Sequence, residues 1–218
     1  MRVMTDFLDT HRRQSTLVVL LPPAGAQLVD FYHQGFVSAL RKCDVAVDVQ
    51  LAAPSYQQVM TQSVATALHD AVVRPAHFAG YRHIWLVGIS LGAFNALYYA
   101  VAHAELLAGI LLLAPYPGTR DVLAEIEFAG GPIAWAEKRC IEPTDERLWW
   151  RWLAQQAEAG SAALPVHLGT GEQDRFVHGQ RMMAGVLPAG RSSFLFGAHD
   201  WSTWLAVWQH WLNQGHLQ

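Results

Sequence analysis

The stretch His83-Ile84-Trp85-Leu86-Val87-Gly88-Ile89-Ser90-Leu91-Gly92 decides the fold. Residues 83–87 form a short apolar, β-branched run of the kind that makes a buried strand, and residues 93–100 directly after the motif form a helix-forming run. A serine at the tip of so tight a strand-to-helix turn holds a strained backbone. The residues two before and two after it must be small for strand and helix to pass closely, and Gly88 and Gly92 meet that need. In this context Gly-x-Ser-x-Gly makes Ser90 a candidate nucleophile, its hydroxyl clear of the sheet and the helix N-terminus aiming free N–H groups at the reacting centre. The competing reading is a plain turn serine.

Working outward, strands and helices alternate on both sides. Upstream, residues 15–21 are a continuous apolar run that stops at Pro22-Pro23-Ala24-Gly25. A helix over 28–43, a strand over 45–51 closed by Pro54, and a helix over 56–73 capped by Ser55 and ended by Pro75 lead back to the motif. Downstream, a strand over 107–114 ends at Pro115-Tyr116-Pro117-Gly118. A strand over 165–169, a helix over 180–186, a strand over 192–196 and a helix over 202–213 complete the chain. The pattern predicts an α/β fold, a mostly parallel sheet with helices on both faces. Residues 1–218 read as a single domain, with 119–163 as a short helical, lid-like insertion broken by Gly130-Gly131-Pro132 and Pro143. Within it Leu148-Trp149-Trp150-Arg151-Trp152-Leu153 has two readings: tryptophans filling the core, or an aromatic lid face over an acyl group. By helical spacing Trp149 and Trp152 share a face while Trp150 points elsewhere.

Composition narrows the function classes. With 52% apolar and 15% charged residues the 218-residue chain has the makings of a filled globule and lacks the signature of disorder. A net charge of -3 and no Lys/Arg run longer than two argue against nucleic acid as a partner. Cys43 and Cys140 lie far apart, and residues 1–15 carry charges and no apolar core, so a cytoplasmic location is expected. The charge-free run 84–102 is long enough for a membrane span, but a buried strand followed by a buried helix gives the same hydropathy; no span is expected.

A serine hydroxyl needs a base, and the base needs an orienting group. Gly169-Thr170-Gly171-Glu172-Gln173-Asp174 puts Asp174 in a glycine-rich loop past a strand, and Gly197-Ala198-His199-Asp200-Trp201 puts His199 in the loop before the last helix. The order Ser90, Asp174, His199 is that of an elbow serine on an α/β sheet. Asp121 is a minor alternative acid, Asp200 is expected to cap the last helix, and Glu172 to be solvated. His167 and His178 have no metal-ligand spacing with a carboxylate, so no metal is inferred. Oxyanion donors are expected from the N–H of Leu91 and from the loop after residues 15–21, where Pro22 and Pro23 have no N–H and Ala24 or Gly25 remain.

On these motifs residues 17 to about 211 resemble an α/β-hydrolase of the small serine esterase or thioesterase type. The resemblance implies an acyl-enzyme on Ser90, His199 as base, Asp174 as its orienting acid, an oxyanion hole from Leu91 and Ala24, no cofactor, and a small-molecule acyl ester or thioester as substrate. Members commonly have His-Gly where this chain has Pro22-Pro23. An acyltransferase with the same residues and a catalytically silent binding protein are the alternatives.

Overall fold

The structure is a computed structural model that describes residues 1–136, 147–160 and 163–217; Cys140 and the break expected at Pro143 lie outside them. Its strands are β1 (Arg2–Asp6), β2 (Thr16–Leu21), β3 (Val47–Ala53), β4 (His83–Ile89), β5 (Gly109–Leu113), β6 (Val166–Gly171) and β7 (Ser192–Leu195). They form one sheet in the order β1-β3-β2-β4-β5-β6-β7. All pairs are parallel except β1 with β3. The apolar runs are buried on both faces: Leu17, Val19 and Leu21 of β2 enter one core while Val18 and Leu20 enter the other.

One core lies under α4 (Val64–Leu68), α5 (Arg74–Phe78), α6 (Leu91–His103), α9 (Arg147–Ala159) and α10 (Val177–Ala184). The other lies under α2 (Phe36–Lys42) and α11 (Trp201–Asn213). Helices on both faces of a mostly parallel sheet are what the sequence pattern predicts. No helix among the described residues is long and apolar enough to cross a membrane.

The structure corrects several element boundaries. The single helix expected over 28–43 is α1 (Asp30–His33) and α2, separated by Gly35, whose φ of 82° lies in the left-handed region that favours glycine. The helix expected over 56–73 is α3 (Tyr56–Met60), α4, a π-helical turn over His69–Val73, and α5. Pro75 does not end it. Pro75 occupies the first turn of α5, where a missing N–H costs little, directly after the wide π turn. The N-terminal residues, unassigned from sequence, are β1, a partly exposed antiparallel edge strand. Fully buried Asp48 anchors the segment after it by accepting from Leu8 N–H (3.0 Å), Gln14 N–H (3.1 Å) and Tyr81 O–H (2.8 Å).

After β5 come α7 (Arg120–Phe128), α8 (Pro132–Ala136) and α9. Trp149 and Trp150 are fully buried and Trp152 nearly so. Contrary to helical-wheel spacing, Trp150 stacks on Trp149 with ring centroids 4.9 Å apart and donates from Nε1 to Pro117 O (2.9 Å). Of the two uses the sequence left open, core filling is where these side chains sit.

Candidate active site

The strand-to-helix turn after β4 places Ser90 where the sequence expects it. Ser90 has φ 52° and ψ -108°, a strained pair for a residue with a Cβ, and its N–H donates to Leu113 O at 2.8 Å. A Cβ at Gly88 would collide with the Gly92 backbone, and one at Gly92 with the carbonyls of Leu21 and Pro22. Both glycines are therefore steric requirements of the turn, and Gly92 also presses α6 against the loop that follows β2.

Asp174 follows β6 and His199 follows β7, and the two loops are tied together. Glu172 N–H donates to Leu195 O (2.7 Å) and Gln173 N–H to Gly197 O (2.9 Å), and a Cβ at Gly171 would strike the Gly197 carbonyl. Gly197 has φ 146°, and a Cβ there would strike the side chain of Thr203. This close approach brings the acid and the imidazole together. His199 Nδ1 lies 2.7 Å from Asp174 Oδ2, and His199 Nε2 lies 3.0 Å from Ser90 Oγ. An ionised carboxylate only accepts, so Nδ1 carries the ring proton and Nε2 accepts from the serine hydroxyl.

The Asp174 side chain is fully buried and that of His199 is 10% exposed. Burial alone would raise the Asp174 carboxyl. It is nevertheless held below the usual carboxylate range, because hydrogen bonds from His199 and the Phe176 N–H, the charge of His199 and the nearby Gln180 amide outweigh burial. The ring of His199 is clamped edge-on by Phe176 (5.2 Å) and Trp204 (5.0 Å), so packing as well as hydrogen bonding fixes its plane.

Sequence reasoning missed the support behind the acid. Gln180 of α10 is fully buried, donates from Nε2 to Pro115 O (3.0 Å) and accepts the Thr170 hydroxyl at 2.7 Å; that hydroxyl also lies 3.3 Å from Asp174 Oδ2. A buried glutamine mid-helix carries no sequence signal of its own.

The remaining expected residues fall as follows. Leu91 opens α6, so its N–H is among the donors a helix leaves without intrahelical acceptors. Ala24 and Gly25 form the exposed corner of a turn closed by Ala26 N–H to Pro23 O (3.3 Å), with Gly25 at φ 79°. Asp121 is exposed in the first turn of α7, while Asp174 takes the bond from His199. Asp200 caps α11 through Thr203 N–H (2.9 Å), and Glu172 is exposed. No cluster of three metal-ligating side chains occurs among the described residues.

The fold is that of the α/β-hydrolases, and the family to which the chain belongs makes it an esterase. A family model described as "Putative esterase" matches residues 2–218, and the chain belongs to that family. A comparison with curated proteins finds no match. Among solved structures, Est1E from Butyrivibrio proteoclasticus superposes with a TM-score of 0.64 at 13% identity, covering 99% of this chain and 92% of that one. FphF, a fluorophosphonate-binding serine hydrolase of Staphylococcus aureus, gives 0.60 at 10% identity over 99% and 92%. A monoacylglycerol lipase from Paleococcus ferrophilus gives 0.56 at 15% identity over 99% and 100%. At these identities the likeness is one of fold.

Proposed function

We propose that the protein hydrolyses small-molecule carboxylic esters or thioesters through an acyl-enzyme on Ser90. His199 Nε2 takes the serine proton as Oγ attacks the carbonyl carbon. The charge that develops on the carbonyl oxygen is met by the N–H groups of Leu91 and Ala24. Asp174 keeps the Nδ1–H tautomer and stabilises the imidazolium. The imidazolium then protonates the leaving alcohol or thiol as its bond to carbon breaks, leaving the acyl group on Ser90. Water, deprotonated by His199, attacks the acyl-enzyme and releases the acid. No cofactor enters the sequence. A free Cys43 thiol is consistent with a reduced, cytoplasmic setting.

The observation that carries this reading is the continuous chain Ser90 Oγ to His199 Nε2 at 3.0 Å and His199 Nδ1 to Asp174 Oδ2 at 2.7 Å, held on a strained turn. Such a chain is not needed to build the fold, which argues against a silent binding protein. Rapid-quench hydrolysis of para-nitrophenyl esters tests it. The expected result is a burst of nitrophenol matching the enzyme concentration with an acyl adduct on Ser90, both absent from Ser90→Ala. Undiminished turnover by Ser90→Ala would end the reading.

A further inference from the structure

α6 is largely apolar and uses two stripes differently. Ala93, Ala96, Leu97 and Ala100 are fully buried against the sheet core. Leu91, Phe94, Asn95, Tyr98, Val101 and Ala102, spaced to share one helical face, line a groove of about 440 Å³. Its other walls include Val64 and Ala65 of α4 and Leu148 of α9. The volume falls within the roughly 300–1,000 Å³ of small-molecule sites. The stripe covers about three turns, roughly 16 Å of helix axis.

Two features say what enters this groove. It begins at Leu91, the residue after Ser90, and runs along α6 between α4 and the start of α9. His199 arrives from β7 at the edge of the sheet and does not line the groove. The leaving group must meet His199 Nε2 to be protonated, so a groove that His199 does not line is left to the acyl part. Second, Asn95 is 6% exposed, lines this otherwise largely apolar groove, and its side chain makes no hydrogen bond to the described residues. It stands one turn from Leu91, about 6 Å along the axis.

We propose that this groove holds an apolar acyl chain, and that Asn95 reads a hydroxyl or carbonyl oxygen carried on that chain about one helical turn from the scissile carbonyl. Leu148, at the start of α9, gives the helical insertion its part in the acyl site. The proposal rests on Ser90 being the nucleophile.

The test compares kcat/KM for para-nitrophenyl acetate, octanoate and a series of octanoates with one hydroxyl walked along the chain. Each is measured on the parent, Ala65→Trp, Ala102→Trp and Asn95→Leu. Ratios between substrates within one preparation are insensitive to a misfolded fraction. The parent is expected to prefer octanoate to acetate and one mid-chain hydroxyoctanoate to octanoate. Either tryptophan should lower the octanoate-to-acetate ratio about tenfold or more, and Asn95→Leu should lower the hydroxyoctanoate-to-octanoate ratio by a similar factor. Unchanged chain-length ratios in both tryptophan variants would overturn the groove, and a parent indifferent to every hydroxyl would overturn the role of Asn95. Fluorophosphonate labelling of the same parent preparation separates the two levels: labelling with unchanged ratios removes this inference alone, whereas no labelling removes the proposed function beneath it.

Discussion

β6 carries a histidine problem at each end and solves the two in opposite ways. Past its C-terminal end, Asp174 faces His199, so the imidazole has a carboxylate on one nitrogen and a serine hydroxyl on the other. Near its N-terminal end, buried His167 faces Arg191, whose Nη1 lies 2.6 Å from Nε2, and its ring packs 4.2 Å from that of His216 and 5.7 Å from Trp211. His167 is pushed down from 6.5 to about 3, first by burial and then by the charges of His216 and Arg191. A ring facing a guanidinium is locked neutral and serves as packing; a ring facing a carboxylate can accept a proton and have it stabilised. His167 is buried beside a guanidinium whereas the His199 side chain is 10% exposed beside a carboxylate, so burial and partner together set the two roles.

The contrast is broken most severely at the His199 end. Ser90→Ala or His199→Ala should each cut kcat on the order of a millionfold, and Asp174→Asn about ten-thousandfold because the ring would lose its tautomer. Steady-state ester hydrolysis reads both. If His167→Phe were as damaging to kcat as His199→Ala, the division of roles would be wrong.

Gly92→Ala should be next, costing about 1–3 kcal/mol or more through collision with the Leu21 and Pro22 carbonyls. Thermal unfolding measures it, and an unshifted Tm would mean that α6 does not bear on that loop. Gln180→Leu removes the donor to Pro115 O and the acceptor for Thr170, and should cost about 1–3 kcal/mol in stability together with a loss of kcat larger than any rise in KM. Stability loss with intact kcat would show that Gln180 props the loop and not the acid.

The smallest effect belongs to the His167 end. Between pH 6.5 and about 3 the unfolded chain takes up a proton that folded His167 refuses, so this ring's contribution to stability is whole above 6.5 and is lost as the pH falls through that window. His216, also lowered by burial and Arg191, acts in the same direction. His167→Phe should flatten the fall of Tm over this range, and Arg191→Leu should flatten it partly. Parallel curves for the parent and His167→Phe would refute the locked-neutral ring.

These differences also explain what could be read from the chain. The buried strands, the Gly88-Ile89-Ser90-Leu91-Gly92 turn and the loops that carry Asp174 and His199 were legible because each is fixed by local spacing or chain order. Asp200 and Ser55 were legible as caps for the same reason; Ser55 accepts from Gln58 N–H at 3.2 Å in a reciprocal capping box. β1 was not, since a partly exposed edge strand lacks an apolar run and is defined by its register on β3. Helix breaks at Gly35 and at Gln62, with φ 53°, depend on left-handed residues that helical periodicity does not reveal. The Thr170–Gln180 support and the stacking of Trp149 on Trp150 are tertiary contacts between residues whose types alone announce nothing.

Whether Ser90 is an activated nucleophile is read most directly by intact mass after exposure to a fluorophosphonate probe. A single covalent adduct is expected on the parent and none on folded Ser90→Ala. A folded parent that takes up no probe, or a Ser90→Ala variant that is labelled equally, would contradict an activated Ser90.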